Sequence, residues 1–315
     1  MTGKVMRDAS VANVLVTGGA GFIGSHIIEA LHALGWRTHV LDSLVTGNAS
    51  NVPEGVTLHE GDIRSADTVG SVMQASQADI VVHCAAQTSV ERSMKDAALD
   101  RDVNVSGTQV LLAAARSAGV RRFVFISSGG AIYGETLEPA TERTPPSPRS
   151  SYGTHKYLAE QSVNTAGISF AILRPSNVYG PRQRSDAEGG VLAIFSERVL
   201  AGLPIEIHGD GRQVRDFVYV SDVVEAVRLA ISHNQDVIWN VSSGAGTAVI
   251  DAARRVGEHL GSEPTLVFCP PRAGDINQSL MTPALISSTG AWGPPLSLDD
   301  GLRRLAAKPA PAIRS

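Results

Sequence analysis

The sequence predicts an α/β chain: a doubly wound parallel sheet with a smaller C-terminal lobe. Three observations predict it. Short apolar runs alternate with longer helical patterns through the first half of the 315 residues. Those runs are almost continuously apolar, as strands covered on both faces must be. After Pro175 the alternation loosens, and prolines and glycines punctuate 175–190, 202–211 and 264–274.

The predicted strands are 13–17, 37–42, 56–60, 79–83, 121–127 and 168–174, each rich in Val, Ile or Phe and bounded by Gly, Asp or Ser. Helical patterns fill the gaps near 22–34, 66–76, 103–118 and 152–166. Strand, helix, strand in repetition makes parallel neighbours with helices on both faces. Beyond 175, helices are predicted at 190–201, 221–233, 247–261 and 297–307, with Asp222 and Ser297 as helix starts. These helices build the smaller lobe.

Composition narrows the function. With 43% hydrophobic and 18% charged residues and a net charge of −4, the chain lacks the basic excess of a general nucleic-acid binder. No N-terminal apolar run marks a signal peptide, and no stretch reaches membrane-spanning length. A cytoplasmic protein is expected. Cys84 and Cys269 are far apart, without metal-ligand spacing, and read as free thiols. His83, at a strand end, is expected to be buried and hydrogen-bonded rather than a metal ligand, and no metal is expected. His155 is expected to face solvent or a neighbouring subunit.

The first chemical signal is Thr17-Gly18-Gly19-Ala20-Gly21-Phe22-Ile23-Gly24, between the first strand and the first helix. Glycines at 18, 21 and 24 let the backbone turn tightly and approach a pyrophosphate, which then meets the N–H groups of the helix start. Asp42 ends the second strand, where a carboxylate can bind two ribose hydroxyls. Ser43 follows it rather than an arginine, which favours NAD over NADP.

A second signal is Tyr152-x-x-x-Lys156. On a helix these residues share one face. A free phenol has a pKa of about 10, so its anion lies roughly 4 kcal/mol out of reach at pH 7. A cation about 4 Å away, at an effective dielectric near 20, supplies roughly 4 kcal/mol. The pair can therefore act as a general base near neutrality.

Taken in order, Gly18-x-x-Gly21-x-x-Gly24, Gly61-Asp62-Ile63, His83-Cys84-Ala85-Ala86, Asn104, Ser127-Ser128, Tyr152-x-x-x-Lys156 and Arg174-Pro175-x-Asn177-Val178-Tyr179-Gly180-Pro181 form a recognisable set. The set resembles the extended short-chain dehydrogenase/reductases that act on nucleotide sugars, and within them the UDP-glucose and UDP-glucuronate 4-epimerases. The resemblance runs over about residues 12–305. The expected division is a flexible segment 1–12, a Rossmann-type NAD-binding domain 13–175, a mainly substrate-binding, interwoven lobe 176–307 and a flexible tail 308–315. Phe22, Ile23, Asp62, Ile63, Ala85, Ala86 and Asn104 would join Gly18, Gly21, Gly24 and Asp42 around the cofactor. Tyr152, Lys156 and Ser128 would be catalytic, with Tyr152 and Lys156 also touching NAD. Asn177 would contact the sugar nucleotide, and Arg215 and Arg272 would clamp its diphosphate. A UDP-sugar would be inverted at C4 through a transient 4-keto sugar, by a homodimer joined through helices near 90–116 and 152–166.

Two departures matter. Many members of this family place Ser or Thr where this chain has Gly129, so Ser128 is the expected substitute hydroxyl, with Ser127 as the alternative. Gly130 and Ala131 cannot supply the extra acid and base of a dehydratase. Arg184 follows Gly-Pro-Arg-Gln, where glucuronate 4-epimerases pair an arginine with the C6 carboxylate. That leans the expectation to UDP-glucuronate/UDP-galacturonate. The alternative is UDP-glucose/UDP-galactose; further alternatives are another nucleotide-sugar dehydratase or reductase, or a non-catalytic NAD sensor.

Overall fold

Val14, Leu15 and Val16 are fully buried on the first strand and point to alternate faces of one sheet. The strands of the first half are β1 (Asn13–Thr17), β2 (Arg37–Asp42), β3 (Thr57–Glu60), β4 (Ile80–His83), β5 (Arg122–Ile126) and β6 (Phe170–Pro175). Then come β7 (Asn177–Tyr179), β8 (Ile205–His208) and β9 (Val214–Tyr219), before β10 (Val237–Val241) returns to the first sheet. The computed structural model describes residues 12–186, 190–271 and 275–307. It joins seven strands in the order β10–β6–β5–β4–β1–β2–β3, all neighbours parallel. The expectations for residues 1–11 and the tail 308–315 lie outside the described residues.

Helices cover both faces. In chain order they are α1 (Phe22–Ala33), α2 (Ala66–Ser76), α3 (Val90–Lys95), α4 (Ala97–Arg101), α5 (Thr108–Ser117), α6 (Gly129–Tyr133), α7 (Ser151–Asn164), α8 (Val191–Leu200), α9 (Val220–Ser232), α10 (Val249–His259), α11 (Ala284–Ser287) and α12 (Leu298–Ala307). Ile27, Ile28 and Leu31 of α1 and Val223 and Val227 of α9 pack on Val14, Val16 and Val40. On the other face Val69 of α2, Leu111 of α5 and Ala159 of α7 pack on Leu15, Leu41 and Val81. Each fully buried aliphatic side chain contributes about 1.5–3 kcal/mol, so the two faces supply the main driving force.

The boundary at 175 drawn from the sequence cuts through this sheet unit. Both β10 and α9 follow it in the chain yet belong to the sheet and its cover. The lobe proper holds a third core of Phe217, Tyr219, Ile205, Ile207 and Val256 among α8, α10 and α12. It also contains β11 (Gly246–Ala248), β12 (Leu266–Cys269) and β13 (Gln278–Ser279), short strands that carry no long apolar run for sequence to reveal. Among the described residues no helix is long and apolar enough to cross a membrane. Cys84 and Cys269 are free.

Candidate active site

Strand order reverses beside β1, where β2 leads one way and β4 the other. Ligands of open α/β sheets bind outside the carboxyl ends of the strands at such a point. A cavity of about 640 Å³ opens there. Gly18, Gly21, Phe22, Ile23, Gly24, Asp42, Asp62, Ile63, Ala85 and Ala86 all line it. Gly18 sits at φ +70°, and a Cβ on it would lie 2.6 Å from the backbone N of Ala85. Only glycine keeps that wall open.

The Asp42 carboxylate shapes the same wall. Its Oδ2 accepts from the N–H of Ala20 at 2.9 Å and its Oδ1 from the N–H of Leu44 at 2.9 Å. An ionised carboxylate offers about four acceptor positions, so capacity for ribose hydroxyls remains. Asp62 is bonded through both oxygens to Arg64, which holds its pKa below the usual carboxylate range. Arg64 in turn bonds Asp102 at 2.9 Å and lines the cavity. A glycine cradle at a helix N-terminus, a carboxylate at the end of β2 and an apolar-floored crevice fit a dinucleotide.

Helix α7 brings the second signal to the same end of the sheet. Ser150 caps it, its Oγ accepting from the N–H of Gly153 at 3.1 Å. The Tyr152 N–H donates to Ser93 Oγ at 3.1 Å, which ties the helix start to α3. Tyr152 and Lys156 are both buried. The Lys156 Nζ donates to the carbonyl of Ile126 at 2.7 Å, at the end of β5, and lies 4.4 Å from the Phe125 ring centroid. Neither side chain lines the cavity itself, but Lys156 acts electrostatically on Cys84, which does.

Burial pushes the Lys156 pKa down to about 8, against the opposing pull of the Glu160 and Asp100 carboxylates. The ammonium form still prevails at pH 7. Between about 8 and the usual 10.5 the unfolded chain binds the proton and the native chain does not, so stability rises with pH across that window. Lys156→Met should remove this rise. The variant is expected to have the higher urea midpoint at pH 7, an advantage that shrinks from pH 8 to 10.5, while its turnover falls. An advantage independent of pH would refute the assignment. Burial also pushes the Cys84 thiol up to about 12 and the His83 imidazole down to about 3. Both groups are therefore neutral at pH 7. His83 is held between Thr17 Oγ1 at 2.7 Å and Thr108 Oγ1 at 2.9 Å, a packing role.

Asn104 stands in a π-helical turn, Asp102–Gly107, between α4 and α5. It does not line the cavity. Its amide accepts from Gln87 N at 3.0 Å and donates to Gln87 O at 2.9 Å and Asp100 Oδ1 at 3.1 Å, fixing the wall from Gln87 to Ser89. Asp100 is fully buried, and its Oδ2 meets His155 Nδ1 at 2.6 Å. The expectation that His155 faces solvent is thus corrected: His155 is buried and paired. A hydrogen-bonded hub therefore joins the cavity wall to α7. Nothing local in the sequence marks Asp100 or Gln87 for this.

A second buried network sits behind α7. Arg174 Nε and Nη2 bond Glu160 Oε1 and Oε2 at 2.9 and 2.5 Å, and Ser127 Oγ donates to Glu160 Oε1 at 2.6 Å. Arg174 Nη1 donates to the Tyr133 hydroxyl at 2.7 Å, which donates to Asn240 Oδ1 at 2.8 Å. Ser127 is committed to structure. Ser128 opens α6 without a side-chain capping bond.

The predicted substrate residues are spread over the lobe. Asn177 is exposed and its Nδ2 donates to the carbonyl of Asp216 at 2.9 Å. Arg215 lies on β9 and pairs with Asp275 at 2.6 Å. Arg272 lies outside the described residues. Arg184 lines the dinucleotide cavity, where it pairs with Asp186 at 2.7 Å and donates to the carbonyl of Thr46 at 3.3 Å. It stands by the loop that follows Asp42.

Residues 14–242 match the NAD dependent epimerase/dehydratase family. A UDP-glucose 4-epimerase of Mycolicibacterium smegmatis is 37% identical over 301 residues, 92% of this chain and 96% of that protein. The crystal structure of the Thermus thermophilus UDP-glucose 4-epimerase in complex with NAD superposes with a TM-score of 0.89 at 43% identity, covering 93% of this chain and 97% of that one. The Thermotoga maritima UDP-glucose 4-epimerase with UDP-glucose gives 0.90 at 38% identity, over 94% and 97%. With the glycine cradle and Asp42 on one crevice, and α7 seated by Lys156 at the end of β5, these matches assign the chain: it belongs to the NAD dependent epimerase/dehydratase family, and its cofactor is NAD.

Proposed function

We propose that this chain interconverts the C4 epimers of a UDP-hexose, with UDP-glucose and UDP-galactose as the preferred pair. One observation carries the chemistry: Tyr152 and Lys156 stand one turn apart on α7, with Lys156 seated at the end of β5 beside the cavity wall. When bound, NAD supplies the hydride acceptor and donor for C4. Tyr152 takes the proton of the 4-hydroxyl and returns it, and the Lys156 ammonium stabilises the phenolate between the two events. Ser128 offers its hydroxyl to O4 throughout. Arg215 and Arg272 neutralise the diphosphate, and Asn177 orients the sugar nucleotide.

Two observations favour glucose over the uronate. The relatives above are UDP-glucose 4-epimerases. The Arg184 charge is already met by Asp186, and its guanidinium reaches towards Thr46. A homodimer through α3 and α7 belongs to the same reading, supported by exposed Val90, Met94 and Leu158 on those helices. The test incubates the protein separately with UDP-glucose, UDP-glucuronate and UDP-N-acetylglucosamine and resolves the epimers. UDP-galactose is expected to form fastest, without added NADH. Arg184→Ala should leave UDP-glucose turnover within about threefold, since surface ion pairs are worth about 0–1 kcal/mol. Faster turnover of the uronate, lost in Arg184→Ala, would reverse the choice.

A further inference from the structure

The turn after β5 gives three consecutive residues three different fates. Ser127 is locked to Glu160. Ser128 carries a hydroxyl that caps nothing. Gly129 is buried, and a Cβ there would meet the Met281 sulfur, lie 2.7 Å from Met281 Cε and 3.2 Å from the carbonyl of Arg174. Position 129 thus admits a side chain only if the end of Met281 moves away, and the residue that takes the room comes from the C-terminal lobe.

Met281 is itself held firmly. It is 1% exposed and packs with Tyr133, the last residue of α6, and with Ala140. Backbone bonds flank it: Ala140 N to Leu280 O at 2.9 Å and Thr282 N to Ala140 O at 3.0 Å. Ser242 Oγ donates to the Met281 carbonyl at 3.3 Å. Methionine adapts its shape more readily than other apolar residues. Here, though, the surroundings are packed, and interiors at crystal-like density do not absorb an extra carbon without cost.

We propose that Met281 is a positioning residue that decides which backbone position presents the hydroxyl to the sugar O4. By filling the space beside Gly129 it excludes a hydroxyl there and braces the turn so that Ser128 supplies it. This rests on the epimerase reading above and on its role for Ser128. It also makes the lobe a structural part of the catalytic segment rather than only a seat for the nucleotide.

A melting cycle and a rescue test it. Gly129→Ala is expected to lower the melting temperature by roughly 3–6 °C in the otherwise unaltered chain. In a Met281→Ala background the same change should lower it far less. An equal fall in both backgrounds overturns the proposal, and failure of Gly129→Ala to fold at all counts for it only if the Met281→Ala partner folds. For the rescue, Ser128→Ala should lower kcat about 100-fold for UDP-glucose. Adding Gly129→Ser and Met281→Ala together should recover at least about tenfold of that, with KM within about threefold, because the interaction restored is with the reacting oxygen. Adding Gly129→Ser alone should recover nothing. No recovery in the combined variant, or equal recovery without Met281→Ala, overturns it. Unchanged kcat in Ser128→Ala also overturns it, yet leaves UDP-glucose turnover, and so the epimerase reading, intact.

Discussion

Tyr152→Phe is expected to lower turnover of UDP-glucose about a thousandfold, within the range that a positioned general base supplies. The change removes one oxygen and little else. The ring keeps its buried place on α7, and the bond from the Tyr152 N–H to Ser93 is made by the backbone, so it survives. The glycine cradle and Asp42 are untouched, so NAD should stay with the protein. Two measurements check this: UDP-galactose formed per minute, and NAD released on denaturation of the purified variant. Full NAD content with a collapsed rate is the expected pair. Near-normal turnover would remove Tyr152 from the chemistry and, with it, the reason for Lys156.

Glu160→Ala should be the most damaging single change to stability, at about 3–5 kcal/mol, because it strands a buried guanidinium. Arg174 is 4% exposed and Glu160 1% exposed, and the two share a pair of bonds. Ser127 loses its acceptor in the same stroke. Glu160→Gln keeps the shape and part of the bonding but not the charge, so it should cost less. Urea unfolding of the three proteins at one pH measures both differences. A loss below about 1 kcal/mol for the alanine variant, the scale of an exposed pair, would show that the network is not closed to water.

The sequence announces what its local pattern can encode. The central strands are legible because doubly covered strands carry apolar runs, Val14–Val16 in β1 and Ile80–Val82 in β4, and β1, β2 and α2 fall on the predicted residues. The cradle at Gly18 to Gly24 is legible because a tight approach needs glycine, and Tyr152 with Lys156 because a helix fixes the face that residues four apart share. Long-range partners leave no such trace. Asp100 pairs with His155 across 55 residues, so a polar residue on a helix reads as exposed although it is buried. Gly129 reads as a lost hydroxyl position, and only the fold shows Met281 in its place. Arg184 reads as a sugar contact by resemblance, and its bond to the carbonyl of Thr46, 138 residues away, is seen only in the fold.

The return of β10 to the sheet has a consequence for how the protein is made. All six residues of β6 are buried, and one flank of that strand is closed by β10 alone. Sixty-six residues separate Pro175 from Val241. At ~5–20 residues per second, a ribosome needs roughly 3–13 s to deliver them. Through that interval a nascent chain already long enough to build the nucleotide crevice carries a naked, sticky border, the kind of template on which other chains pair. The front half is therefore no portable cassette, and chaperones have their best opportunity on this protein just before β10 emerges.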